Sequence, residues 1–179
     1  MVHSRCLLVC KQVSGMRRIH AICSPFNFTG KRAGRMKPLY ERKPLCFSCS
    51  ACGDCCTTGD DYYVYLNERQ ARRIRKYLKL SSGWFRRRYL ERLDTGDMVV
   101  ASTADGRCIF LDANRQCRIY GVRPLQCRTY PFWPELTGNL KTWQAETRRC
   151  EGINRGKAVP VARIRRAVNA CLAQESGSK

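Results

Sequence analysis

Histidine is nearly missing from this 179-residue chain: only His3 and His20 carry an imidazole, and both lie within the first 20 residues. Any site in the remaining sequence must work without that side chain, which leaves Ser-His and Cys-His nucleophile pairs without a base. Acidic residues are also scarce, 14 against 34 Lys and Arg, for a formal net charge of +20. No apolar run approaches the roughly 18 to 20 residues that cross a bilayer, so a membrane-spanning helix is excluded. No dinucleotide or P-loop glycine motif occurs, and no internal repeat is visible. No secretory leader is expected, since Cys6-Leu7-Leu8-Val9-Cys10 is too short for its apolar part and Lys11 interrupts it. The expected location is therefore cytoplasmic, without a membrane partner.

Cysteine, by contrast, is abundant, with 13 residues. In a reducing compartment, clustered thiols serve as metal ligands or redox groups more often than as structural disulfides. Four of them crowd into Cys49-x2-Cys52-x2-Cys55-Cys56, where Ser50, Ala51 and Gly53 leave the backbone free to wrap an ion. Adjacent Cys55 and Cys56 do not easily point the same way, which suggests a second site or a shared ligand. A second set follows at Cys108, Cys117, Cys127 and Cys150. Together these thiols suffice for two tetrahedral sulfur sites or one multinuclear cluster. Cys46 keeps the same three-residue spacing and is an alternative ligand. Arg123 and Arg128 flank Cys127 and are candidates to balance thiolate charge from outside the ligand shell. Ile119, Tyr120, Tyr130, Phe132 and Trp133 are expected to wall the thiols off from water.

The expected fold class is a small α+β domain over residues 36–175, centred on its metal. Residues 1–35 form a basic arm with seven Lys and Arg and no acid, or else precede a true start at Met36; residues 176–179 are a frayed tail. Asn67 and Gln70 mark the start of a helix over about 67–80. Ser82 caps a second helix striped by Phe85, Tyr89 and Leu93, which Asp94-Thr95-Gly96-Asp97 ends. Strands are expected at Tyr62–Leu66, Met98–Ser102, Cys108–Leu111 and Leu140–Ala145, with a hairpin turn at Ala104-Asp105-Gly106. Pro160 opens a last helix whose Val161, Ile164, Val168 and Cys171 share one face. Ten Lys and Arg between Arg69 and Arg92, against the single acid Glu91, could engage nucleic acid or another anionic partner. Asp60-Asp61 reads as a solvated turn, and nothing marks the chain as an enzyme by itself.

Two blocks resemble the YkgJ or UPF0153 family of cysteine-cluster proteins. They are Phe47-x-Cys49-x2-Cys52-Gly53-x-Cys55-Cys56 and Gly106-x-Cys108-x-Phe110-Leu111-Asp112, the latter continuing through Cys117-x-Ile119-Tyr120-x2-Arg123-Pro124-x2-Cys127-Arg128-x-Tyr130-Pro131-Phe132. The similarity runs from about Leu45 to Gly152. It implies a zinc- or iron-chelating domain whose ligands are Cys49, Cys52, Cys55, Cys56, Cys108, Cys117, Cys127 and Cys150. Related cysteine-rich segments in flagellin lysine methylases imply an iron-sulfur cluster, so zinc and iron both stay open.

Overall fold

The computed structural model describes residues 37–57 and 63–176; the basic arm, Asp60-Asp61 and the C-terminal tail lie outside the described residues. The expected α+β class is what forms. In chain order the elements are α1 (Leu39–Arg42), β1 (Cys46–Phe47), a 3-10 turn (Asp54–Cys56), α2 (Glu68–Tyr77), α3 (Ser82–Tyr89), β2 (Leu90–Arg92) and β3 (Met98–Val100). A 3-10 turn (Tyr120–Val122), α4 (Leu125–Thr129), α5 (Pro134–Thr137), α6 (Leu140–Ala145), a third 3-10 turn (Glu146–Arg148), β4 (Ile153–Ala158) and α7 (Val161–Ser176) follow.

Helix α2 starts where its sequence says. The Asn67 side chain accepts from the Gln70 amide at 2.9 Å while Gln70 accepts from the Asn67 amide at 3.2 Å, the reciprocal pair that satisfies two orphan donors. It buries Ala71 and Ile74 and stops at Tyr77, three residues short of the expected end. Helix α3 is capped by Ser81, not Ser82, and it ends at Tyr89. Leu93 does not extend its stripe, because the chain turns there into β2, and Asp94–Asp97 is instead the β2–β3 hairpin turn. Tyr89 stacks on Phe110 at 5.1 Å and on Phe85 at 5.7 Å, so it is packing, as its place on the stripe suggests.

Strand β3 is fully buried because it is flanked on both sides, by β2 and by a bridge from Tyr65 to Val99. That bridge is what remains of the strand expected before residue 66. The strand expected over Cys108–Leu111 reduces to single bridges, Ser102 with Cys108 and Leu111 with Cys117, although the turn at residues 103–107 does form. The segment Leu140–Ala145 corrects the reading outright: it is a helix. Asn139 accepts from the Thr142 amide at 3.0 Å, and one side chain, Trp143, faces inward; a local cap with one-sided burial outweighs the strand propensity of Thr142 and Trp143. In α7, Ile164, Val168 and Cys171 are buried, but Val161 is 39% exposed and leaves the predicted face.

Two apolar clusters result. One gathers Leu39, Tyr40, Leu45, Phe132, Trp143, Ile153, Ile164 and Val168 under the β1–β4 ladder and α7. The other gathers Leu66, Ile74, Phe85, Tyr89, Val100, Phe110 and Ile119 between α2, α3 and β3. Strands β1 and β4 cross so tightly that a Cβ on Gly152 would sit 2.3 Å from the Ser48 carbonyl oxygen, which explains glycine there.

Candidate metal centre

The first cysteine block forms a hook between β1 and residue 57. At Gly53 the backbone takes φ +79°, and a Cβ there would come within 2.7 Å of the Arg115 carbonyl oxygen. Arg115 grips the hook from the other side: its Nε donates to the Cys52 carbonyl at 2.7 Å and its guanidinium pairs with Asp54. The 3-10 turn over Asp54–Cys56 presents two consecutive thiols, Cys55 exposed and Cys56 half-buried, and the Cys108 amide donates to the Cys56 carbonyl at 2.8 Å.

The second block is placed by the apolar cluster beneath it. Phe110, 1% exposed, anchors the segment carrying Cys108, while buried Ile119 anchors Cys117, and both cysteines pack against that cluster. Asp112 accepts from the amides of Asn114 and Gln116, closing the turn between them. Helix α4 brings Cys127, and Gln126 beside it bonds the Tyr65 amide and the Tyr63 carbonyl, both at 3.0 Å. The Trp133 indole donates to the Gln126 carbonyl at 2.9 Å, locking that helix further.

Cys55, Cys56 and Cys108 are near enough for their thiols to interact in turn, and Cys117 and Cys127 are near enough to feel their charge. Their proton hold is tight: the bond to Cys56 first, then burial, raises Cys55, and the bond to Cys108, then burial, pushes Cys56 up to about 12. Burial raises Cys127, reinforced by the negative charges that Cys56, Cys55 and Cys117 would carry. Burial likewise raises Cys117. The positive charge of Arg123 opposes the rise at Cys55, Cys117 and Cys127, so this arginine faces the thiols. Arg128, in contrast, is perturbed first by burial and then by Arg73 and Arg123, not by a thiol.

Cys52 and Cys150 make a separate pair. Burial raises the Cys150 thiol, and Cys52 adds to that, while the amides of Gly152 and Ile153 and the Tyr130 hydroxyl favour its anion. Tyr130 also donates to Glu146 at 2.8 Å. Cys49 is exposed and joins neither group; its neighbours Ser48 and Ser50 line a shallow groove with Glu151, Gly152, Arg155 and Gly156. Cys46 lies half-buried on β1 opposite Ala158. Cys171, buried in α7, donates to the Thr129 hydroxyl at 3.2 Å and is a core residue, as its helical spacing implies.

Among the described residues, no three Cys, Asp or Glu side chains already surround one point in the manner of a bound ion. Of the expected aromatic wall, Ile119 and Phe132 are buried and Tyr130 and Trp133 half-buried, but Tyr120 is 55% exposed and its ring lies against the Arg123 guanidinium instead. The sequence reading missed Arg115 and Gln126. A signal existed for the first, since Asp54 is the one charged residue between Phe47 and Thr57 in a strongly basic chain and so invites a specific cation.

No helix among the described residues is long and apolar enough to cross a membrane. Over 116 residues, 63% of this chain, the sequence is 29% identical to an uncharacterized protein of the archaeon Methanocaldococcus jannaschii, and it spans 60% of that relative's length. No solved structure matches the chain. A family model described as "CxxCxxCC: Putative zinc- or iron-chelating domain" matches residues 48–151. That match covers more than half the chain and contains both cysteine blocks, so the chain belongs to the CxxCxxCC family.

Proposed function

We propose that the chain binds zinc or iron through its eight clustered cysteines. Cys55, Cys56, Cys108, Cys117 and Cys127 supply the main donor set, and Cys52 and Cys150 the neighbouring one, which the exposed Cys49 would complete by turning in around the ion. The observation that carries this reading is the backbone tie between the two cysteine blocks, the Cys108 amide on the Cys56 carbonyl and Arg115 on the Cys52 carbonyl, in a region without a single histidine. Its donor chemistry fits a soft ion: four thiolates close a tetrahedral zinc site, and the same residue type holds iron-sulfur clusters. An ion that displaces the thiol protons gives the resulting thiolates, which alone would repel one another, a common positive centre. Zinc would supply a redox-silent crosslink, and an iron-sulfur cluster would supply electron transfer. Zinc would act as a structural centre, its thiolate ligands drawing the exposed hook onto the segment that carries Cys108 and Cys117. Arg123 faces three of the thiols and would offset the residual negative charge of a four-thiolate site.

The test is anaerobic purification of untagged protein followed by elemental and acid-labile sulfide analysis. Stoichiometric zinc without sulfide supports the structural site. Brown protein with matched iron and sulfide assigns the cluster form. A chain that retains neither metal, even after incubation with both under reducing conditions, overturns the reading.

A further inference from the structure

Helices α2 and α3 follow one another along the chain, and the Arg86–Glu68 ion pair at 2.8 Å joins the start of the first to the second half of the other. Both turn their apolar sides, Ala71 and Ile74 on α2 and Phe85 and Tyr89 on α3, into one cluster. The opposite sides therefore face solvent. On α2 that side carries Arg69, Arg72 and Lys76 at spacings of three and four, so they form one exposed stripe. Lys79 in the link and Arg87 and Arg88 on α3 add three more exposed cations.

None of these six has a carboxylate partner among the described residues. The two acids of residues 68–92 are engaged elsewhere: Glu68 holds Arg86, and Glu91 accepts from the Ser102 amide at 3.3 Å. Arginines with a structural task form a different set. Arg73 donates to the carbonyls of Val122 and Arg123, Arg75 to that of Leu80 and Arg92 to that of Gly96. Like charges three and four residues apart repel along a helix, so the stripe weakens α2 unless an anion lies across it. A face kept for solubility alone works as well with both signs mixed.

An exposed aromatic ring stands beside these cations. Trp84, 45% exposed, precedes Arg87 and Arg88 by three and four residues and so neighbours both on the surface of α3. Its ring meets Tyr89 at 5.7 Å, and nearly half of the residue stays in water. We propose that this face of α2 and α3 binds single-stranded nucleic acid: Arg69, Arg72 and Lys76 take backbone phosphates, and Trp84, flanked by Arg87 and Arg88, stacks on an unpaired base. Cations that track a backbone beside an aromatic platform are the two parts such a site needs. A duplex keeps its base faces covered. An anionic membrane is the poorer match, because the apolar sides of both helices are already buried and leave no hydrophobic face to insert. Neither helix carries a cysteine, so the proposal stands apart from the metal reading.

The experiment follows the anisotropy of a fluorescent single-stranded oligonucleotide titrated with the full chain, at salt from about 50 to 200 mM. Log affinity of the native chain is expected to fall against log salt with a slope of up to about −4, six phosphate contacts at about 0.7 each. R72Q/R87Q is expected to reduce that slope by about 1.4 and the affinity by about 25-fold at about 0.1 M salt. R163Q/R166Q removes the same charge from exposed α7 surface and is expected to keep the native slope. W84L leaves Tyr89 an apolar neighbour but loses the flat ring, for an expected loss of roughly five- to 150-fold. Melting temperature and metal content are recorded on every variant, and should R72Q/R87Q unfold, R69Q/K76Q on the same helix pair takes its place. Equal losses in R72Q/R87Q and R163Q/R166Q make the attraction one of bulk charge and overturn the proposal. So do native affinity in W84L, tighter binding of a duplex or of phosphatidylserine vesicles than of the single strand, and absence of binding at the lowest salt.

Discussion

The amide of Cys108 donates to the carbonyl of Cys56 at 2.8 Å, so the two cysteine blocks are tied through their backbones at the point where their thiols also meet. This bond fixes the hook without any metal, and it makes the side chains testable separately from the fold that presents them.

Cys56→Ser combined with Cys127→Ser is expected to strip the metal and to lower the melting temperature, because each change removes a thiolate from the five-membered network. Cys171→Ser, remote from that network, is expected to keep full metal content and to lose about 1 kcal/mol at most, the worth of one altered buried hydrogen bond. Elemental analysis of the two proteins side by side reads the contrast.

Gly152→Ala tests the crossing of β1 and β4. The added methyl would lie 2.3 Å from the Ser48 carbonyl oxygen and 3.1 Å from the Phe47 ring, so backbone must move. A loss of about 1 to 3 kcal/mol in urea unfolding is expected, in the range of an overpacked core.

Trp143→Phe separates shape from hydrogen bonding. Trp143 is 1% exposed, stacks on Phe132 at 6.2 Å and donates to the Asn154 side chain at 2.9 Å. Phenylalanine keeps the stack and drops the donor, for an expected loss of about 1 to 2 kcal/mol. Trp143→Ala should cost about 3 to 5 kcal/mol.

Asn67→Ala removes the acceptor that caps α2 and is expected to cost about 1 kcal/mol in denaturant unfolding. Metal content should not change, since α2 carries none of the thiols.

The cap of α2 and most of the buried face of α7 were legible because each rests on local spacing. Leu140–Ala145 was misread because Thr142 and Trp143 favour strands in isolation; the Asn139 cap and the demand to bury one indole decide otherwise. Leu93 fits a four-residue stripe only on paper, since the strand that begins at Leu90 takes the chain away from the helix. The bonds of Gln126 to Tyr63 and Tyr65 were not legible, because they join residues 63 and 61 positions apart that only the folded chain brings together.

The β1–β4 ladder joins Phe47 to Ile153, so the strand made first waits for one made near the end. At translation speeds of roughly 5 to 20 residues per second, the hook spends about 5 to 20 s outside the ribosome before β4 exists to cover it. Until Cys108 emerges, partway through that interval, its four cysteines have only each other and the surrounding milieu. A newborn chain therefore meets its first chance of oxidation, or of capture by a metal donor, while its other half is still being written.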